Sequence, residues 1–581
     1  MIHVKDHKQL DLFDPWRFLS PKRRQLLDKT WPGLFQNKIL PNLPVSSLFP
    51  FFEKEFGRPT KELHTVLGVL IFQQMFDLTD DEACDQLTFN IQWHYALNIT
   101  EESDSAKYMC PKTLWNMRSV LIDNRMDDLL FGCVTKQLAD TFKVNTDKQR
   151  IDSVHIKSNM RRLGRIGIFA SGIHKFLTNL KRHHIDLFDT INASLIQRYL
   201  PQKSMQCFSM VKPSDAHKTL LTVSKDLFDL VSRFKDCPAV CDMHSYKQLE
   251  RILNDQCNVQ LSENGPAVIV KKPKEIPSDS LQNPSDPDAT YSGHKGQGYQ
   301  VQIMETYTPT TDNEIRETTL NLITHVEVEP AHKSDANALL PAIASVQEIG
   351  LVPKEILADS LYGSDDNSYQ AQQQHVEIIA PAMGQKNENG ICLSDFVTSE
   401  TGIVLSCPQG LVPVKLKKKK TRHTAVFDSG HCSGCPNQAH CPVKAGKNHH
   451  VLRYTEKEIR IAKRRAYEQT DGFKDRYRWR SGVEATMSEY DRRTGVKHLR
   501  VRGFEAVKFC AVLKAIGINL FRAAAVWIAI DPEPDPNGGN SSGFRRNHAC
   551  LIIKEQFLRT WRDLKNFFMA ISPNNKHMLK I

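Results

Sequence analysis

The chain has 581 residues, with 77 Lys and Arg against 66 Asp and Glu, for a formal net charge of +11. This length exceeds what one core organises, so several domains or large insertions are expected, and the basic excess favours a polyanionic partner. The charged start, MIHVKDHKQLDLFDPW, lacks the apolar core of a secretory signal, and without any run of ~18 apolar residues no membrane span is expected. Composition is otherwise that of an ordinary soluble globular protein, and its 14 cysteines, mostly scattered, read as reduced thiols.

Residues 1–45 contain Pro15, Pro21, Pro32, Pro41 and Pro44 and read as an extended leader with short helical pieces. Residues 46–140 read as a helical DNA-binding domain. In it KELHTVLGVLIFQQMFDLTDDEACDQL forms an apolar helix and then a second helix starting at an acidic cap near Thr79 and Asp80. Pro111 and Thr113 open a further helix through TLWNMRSVLIDNRMDDLLFGCVTKQLADTF. The competing reading of this domain is a helical scaffold without DNA contact.

RIDSVHI (150–156) is a short β-rich run, followed by a mostly helical, basic stretch. GYQVQIMET (298–306) and NLITHVEVE (321–329) alternate as strands do. Ser334 caps a helix through DANALLPAIASVQEI that stops at Gly350, and EILADS (355–360) and HVEIIAP (375–381) supply two more strands. The order strand, strand, strand, helix, strand, helix, strand predicts an α/β fold. Its core is an RNase H-like mixed sheet, with helical insertions, an N-terminal helical domain and a cysteine-bearing insertion. The first strand then lies beside the fourth. The expected division gives a first part of the core at 145–382 with a helical insertion at 160–285, an insertion at 383–470 and a second part of the core at 471–530. Residues 531–581 form a linker, DPEPDPNGGNSSG, and a C-terminal helix marked by Ile553, Phe557, Trp561, Leu564 and Phe568. AVLKAIGINLFRAAAVWIAI (511–530) is interrupted by Lys514 and Arg522 and reads as a core helix.

The chemistry concentrates on three acids. Asp152 and Asp359 end or interrupt short apolar runs. Helical steps of three and four through YRWRSGVE put Tyr477, Arg480 and Glu484 on one face. Three carboxylates from three elements are what two divalent metals need to cleave a phosphodiester. Two Mg²⁺ are expected, with Mn²⁺ able to substitute: Asp152 bridges both, Asp359 binds one and Glu484 the other. Arg480 is expected to grip a phosphate with its planar fork, with Tyr477 beside it. Trp479 reads as a packing residue. The run VKLKKKKTRH (414–423) reads as a solvated loop, with phosphate contact through Lys417 and Lys418 as its functional alternative. Cys432-x2-Cys435 gives the tight two-ligand turn of a tetrahedral Zn²⁺ site. Cys407 and Cys441 complete four thiolates, with His431 and His440 as alternates, in a structural zinc knuckle. Cys237, Cys241, His244 and Cys257 have looser spacing and read as helix packing.

These pieces resemble the DDE transposases of bacterial insertion sequences, in particular the group with an InsH-type N-terminal helical domain and a cysteine-bearing insertion near the catalytic helix. The resemblance is carried by KELHTVLGVLIFQQMFDLTDDEACDQL, IDSVHIKSN, DPDATYSGHKGQGYQVQI, LADSLYGS and YRWRSGVEATMSEYDRRTGVKHLRVRG, which together cover most of residues 46–525. It implies an enzyme that binds the terminal inverted repeats of its element, hydrolyses the DNA there and joins the freed 3′-OH to target DNA. Double-stranded DNA is the implied partner, a homodimer the working form, and the bacterial cytoplasm and nucleoid the place. Two positions depart from the group. Asp491 stands where a basic residue follows the glutamate by seven, with Arg492 and Arg493 as substitutes, and Asp359-Ser360-Leu361-Tyr362 lacks the usual glycine before its tyrosine. The rival readings are a decayed or domesticated DNA-binding relative, a zinc-dependent DNA-binding regulator, and a nuclease without strand transfer.

Overall fold

The computed structural model describes residues 1–9, 14–53, 56–200, 211–262, 265–384, 390–419, 421–446 and 448–530. Met1–Ile528 form one compact unit, and the second, Ala529–Ile581, is described only to Ile530. The expected linker and C-terminal helix at 531–581 lie outside the described residues.

The central sheet is built from β1 (Lys148–Lys157), β2 (Gly296–Thr306), β3 (Ile323–Pro330), β4 (Glu355–Leu357) and β5 (Glu377–Ile379), in the order β3-β2-β1-β4-β5. The first three strands are antiparallel, and β1, β4 and β5 are parallel. A short strand, Thr290–Ser292, extends the β2 edge. This is the RNase H-like mixed sheet. Antiparallel neighbours are joined through hairpins or insertions, whereas the parallel strands need crossovers, which the helices Leu339–Glu348 and Asp365–Gln373 supply. Gly298 has φ +151°, and a Cβ there would lie 2.0 Å from the Ile156 carbonyl oxygen, so β1 and β2 close only over a glycine.

The helix Leu63–Met75 is buried along its whole length and is capped by Glu62. A capping box between Thr79 and Glu82 opens Asp80–Phe89, as the acidic start required. The helix expected from Pro111 to Phe142 is two, Pro111–Asp123 and Met126–Phe142, because Arg125 takes a left-handed conformation (φ 51°). Phe504–Ile530 is long and apolar enough to cross a membrane, but 83% of its most apolar window is buried inside the protein. Lys514 in that helix reaches Asp77 at 2.8 Å, which makes it a core helix with a paired buried charge.

Between β1 and β2 a second apolar core gathers around the helices Arg165–His183, Ala216–Phe234 and His244–Gln256. Cys237, Cys241 and Cys257 pack there. This insertion also holds a hairpin, Cys257–Ser262 with Gly265–Val270, which the helical pattern conceals. Between β5 and the last helices, a four-stranded antiparallel sheet carries the lysine run as an edge strand, Lys415–Lys418, rather than as a loop.

Candidate active site

The register of β1 on β4 decides which acids meet. Lys148 pairs with Glu355 and Arg150 with Leu357. Asp152 and Asp359 each lie two residues past this last pair. Two acids far apart in sequence are thereby brought near enough for the charge of Asp359 to act on Asp152. Asp152 is mostly buried on β1, and Asp359 begins the turn after β4, its Oδ1 accepting the Leu361 N–H at 2.8 Å.

Glu484 arrives on a helix, Gly482–Thr494, preceded without a break by Asp471–Tyr477 and a single 3₁₀ turn, Arg478–Ser481. A buried ionic network presses this glutamate helix onto the sheet. Glu305, inaccessible on β2, accepts from Arg150 at 2.8 Å, Thr486 at 2.7 Å and Arg522 at 2.8 Å. Arg150 also donates to the Trp479 carbonyl at 2.7 Å, a path open only because residue 482 is glycine: a Cβ there would sit 2.1 Å from the guanidinium. Leaving Glu305 without its cations would cost about 3–5 kcal/mol, the usual penalty for breaking a buried pair.

Arg480 links the acids. It donates to Asp152 Oδ2 at 2.7 Å and to Glu484 Oε1 at 3.1 Å, and its Nε is buried without a partner. Burial pushes the Asp152 carboxyl above the usual carboxylate range; Arg480 opposes this, while Asp359 and Asp335 add to it. Burial likewise raises the Tyr477 phenol, within reach of Arg480, Asp359 and Asp152. Tyr477 stacks on Phe473, and Trp479 packs with it against Tyr307, Leu357 and Ile379. Arg493 is committed elsewhere, ion-paired with Glu489 at 3.0 Å and lying over the Phe521 ring, whereas Arg492 is exposed. Asp491 is ion-paired with Lys497 at 3.5 Å. Lys417 and Lys418 are exposed.

A second polar set backs the acids and carries no sequence signal of its own. Lys295 donates to Ser153, the neighbour of Asp152, at 2.8 Å and reaches buried Asp335 at 3.3 Å. Gln302 on β2 donates to Asp335 at 2.9 Å and accepts from Tyr362, three residues past Asp359, at 2.5 Å. The chain Ser153–Lys295–Asp335–Gln302–Tyr362 thus joins the segments that bear the two aspartates. The buried Tyr362 hydroxyl is held well above its ordinary range by desolvation and by Asp335, Asp152 and Asp359.

Away from this site, Cys407, Cys432, Cys435 and Cys441 line one cavity of about 30 Å³. Among the described residues, one set of three candidate metal-ligand atoms lies within 4.8 Å of one another: His7, Glu62 and His64. There the Glu62 carboxylate already caps a helix and accepts from Thr65, His64 and Lys5. The three acids of the candidate active site and the four thiols are spaced more widely than that.

Two family models match the chain: a transposase DDE domain over residues 406–524 and a transposase domain, DUF772, over residues 28–120. Both matches are to transposase domains, and together they support an insertion-sequence DDE transposase. The chain is therefore a DNA transposase, a metal-dependent enzyme of nucleic-acid processing whose partner is DNA and whose divalent ion is typically Mg²⁺. The first match spans Tyr477, Arg480, Glu484 and the four cysteines; Asp152 and Asp359 fall outside both. No curated protein matches the chain.

Proposed function

We propose that this transposase binds the terminal inverted repeats of its insertion sequence, cleaves the DNA there and joins the freed 3′-OH ends to target DNA, with Asp152, Asp359 and Glu484 as its catalytic acids. The observation that carries this reading is the meeting of β1, the end of β4 and the glutamate helix: the charge of Asp359 acts on Asp152, and Arg480 bridges Asp152 to Glu484. The donor set is all carboxylate oxygen, which suits Mg²⁺ or Mn²⁺, and burial with the neighbouring Asp359 and Asp335 charges raises Asp152 against the pull of Arg480, so the residues fit the ion the family uses. Two such ions, when bound by these acids, supply charge neutralisation and an activated water.

The chain's own groups do the rest. Arg480 would offer its fork, including the unpartnered Nε, to the scissile phosphate. Tyr477, whose phenol feels the charges of Arg480, Asp359 and Asp152, orients that phosphate. Water attacks phosphorus, the P–O3′ bond breaks, and the 3′ oxygen leaves as a hydroxyl opposite a 5′-phosphate. In the joining step that 3′-OH attacks a target phosphodiester and displaces the target's own 3′ oxygen, so bonds made equal bonds broken. A homodimer brings the two element ends together, and Lys417, Lys418 and Arg492 hold backbone phosphates. The domain division at 45, 140, 382, 470 and 530 is part of this reading, with 46–140 contacting DNA. Zinc in the 383–470 insertion is structural and takes no part in cleavage.

The test is nicking and joining with DNA that carries the sequences flanking the coding frame. Divalent-ion-dependent nicks, followed by 3′-end joining, are expected, both lost in Asp152→Asn, Asp359→Asn and Glu484→Gln. Nicks without joining would reduce the reading to a nuclease, and binding without nicks would favour a decayed relative. One observation favours that second reading: an acid, Asp491, occupies the helix position where the group has a base. Gain of cleavage in Asp491→Lys would support it.

A further inference from the structure

The cysteine module, whose four cysteines lie within the matched DDE domain, has too little core for its size. Among the described residues its buried apolar cluster is Phe396, Val404, Ala425, Phe427, Leu452, Tyr454 and Ile459. So small a core usually needs a covalent or metal staple. The cavity lined by the four cysteines lies against this cluster, and Cys407, Cys432 and Cys441 pack on it. Cys407 and Cys432 each open a tight turn. The Gly410 N–H returns to the Cys407 carbonyl at 2.8 Å, over a glycine at φ +80°, and the Cys435 N–H returns to the Cys432 carbonyl at 3.3 Å. Turns of this kind point backbone and thiols toward one centre.

The independent observation is His450. It is 5% exposed, lines the same cavity from the strand His450–Tyr454, and its Nε2 is buried without a hydrogen-bond partner. A buried ring nitrogen left unpaired is costly unless something in the cavity takes it. The histidines nearest in sequence to the cysteines are placed differently: His431 is exposed and bound to Asp428 at 2.9 Å, and His440 is exposed and absent from the cavity wall.

We propose that this module holds one structural zinc ion on the thiolates of Cys407, Cys432, Cys435 and Cys441, and that His450 donates its Nε2–H to that thiolate cluster. Four thiolates around Zn²⁺ carry a net double negative charge, which a buried N–H donor offsets, in the manner of outer-shell partners at metal sites. Binding releases the thiol protons to solvent. No three of the sulfurs lie within 4.8 Å of one another, while Zn–S bonds of about 2.3 Å in a tetrahedron set sulfurs about 3.8 Å apart. The side chains therefore draw inward on binding, by rotation about Cα–Cβ within the turns. The ion would tie the Cys407 turn, the helix Ser429–Ser433 and the Cys441 turn to the strand of His450. That strand pairs with His423–Phe427, which in turn carries the exposed lysine strand Lys415–Lys418. This specifies the structural zinc of the proposed reading, its ligands and its buried donor, and does not depend on the cleavage chemistry.

The full chain, purified without chelator, is assayed for metal by mass spectrometry and for zinc release to a colorimetric chelator. Expected are about one zinc per chain, its loss in Cys432→Ser with Cys435→Ser, and its retention in His431→Ala and His440→Ala. His450→Ala is expected to keep the ion but to weaken its hold by about 10–100-fold, with His450→Gln restoring part of it. Should the double cysteine variant fail to fold, Co²⁺ added to the chelated wild-type chain must give the visible bands of a tetrahedral thiolate site. Absence of zinc and of those bands, or zinc retained in the double cysteine variant, would overturn the site. Unchanged zinc release in His450→Ala would overturn the role of His450. Metal content is read without DNA, so failure here and failure of DNA cleavage are separate results.

Discussion

Arg480 is the residue through which the site can be tested most closely. Its guanidinium lies 2.7 Å from Asp152 and 3.1 Å from Glu484. At an effective dielectric of about 20, the closer contact has a gross attraction of about 6 kcal/mol. Burial still keeps the Asp152 carboxyl above its ordinary range, so desolvation outweighs that attraction. Replacing Arg480 by alanine removes the one cause that lowers it by charge, and the carboxyl rises further. Proton and metal compete for Asp152, so the acid limb of the cleavage rate should move to higher pH in Arg480→Ala. At pH 7 the loss of a phosphate-gripping donor adds about 10²–10³-fold in rate. Arg480→Lys should keep most of the acid limb, because the charge remains, yet lose rate, because an ammonium cannot span both acids as a fork does. The assay is Mg²⁺-dependent nicking of element-end DNA from pH 5.5 to 9. A wild-type rate in Arg480→Ala, or an acid limb that does not move, would refute the reasoning.

Three other outcomes follow from the same geometry. Tyr362→Phe leaves Gln302 Oε1 short of its donor and loosens the Asp359 loop; about 1–3 kcal/mol of stability and a raised Mg²⁺ requirement for nicking are expected, whereas an unchanged Mg²⁺ titration would show that the Lys295–Asp335–Gln302–Tyr362 chain does not position the acids. His325 is fully enclosed, both ring nitrogens lack partners, and burial lowers it to about 4. Its folded value lies below its unfolded one, so stability is full above pH 6.5 and falls as pH drops toward 4, by about 3 kcal/mol; the acid-side drop in melting temperature should shrink in His325→Leu. Lys417→Ala with Lys418→Ala should weaken DNA binding alike for all sequences and flatten its log–log salt dependence by about 2, as removal of two phosphate contacts does; an unchanged slope would show that the strand is only a solvated edge.

The alternating strands and the capped helices were legible because their signals are local: RIDSVHI and GYQVQIMET read the sheet directly, and Thr79 with Glu82 writes its own helix start. The parallel strands were found but drawn too long, since pairing ends at Leu357 and Ile379 where the chain turns away. The break at Arg125 had no glycine or proline to announce it, and the hairpin at 257–270 carries too little alternation to stand out from the helices before it. The lysine strand looked like a loop because charge dominates its composition; an edge strand is where lysines guard unpaired backbone against other edges. Within the site, the acids stood out through the fold order. Lys295, Asp335 and Gln302 did not, because their meaning lies in contacts such as Lys295 with Ser153, 142 residues apart, and Gln302 with Tyr362, 60 apart. His450 follows Cys441 by nine residues (450 − 441 = 9) and gives no signal in the cysteine spacing; it lines their cavity from the strand His450–Tyr454.

The central claim is that Asp152, Asp359 and Glu484 surround one divalent-ion site. Iron-directed cleavage tests it without requiring turnover. Fe²⁺ is bound in place of Mg²⁺, hydroxyl radicals are generated with ascorbate and peroxide, and the backbone cuts are mapped by mass spectrometry. The account predicts cuts clustered near residues 152, 359 and 484, suppressed together by excess Mg²⁺ and lost together in Asp152→Asn. Cuts at one of these segments without the others, or a pattern that Mg²⁺ does not suppress, would contradict it.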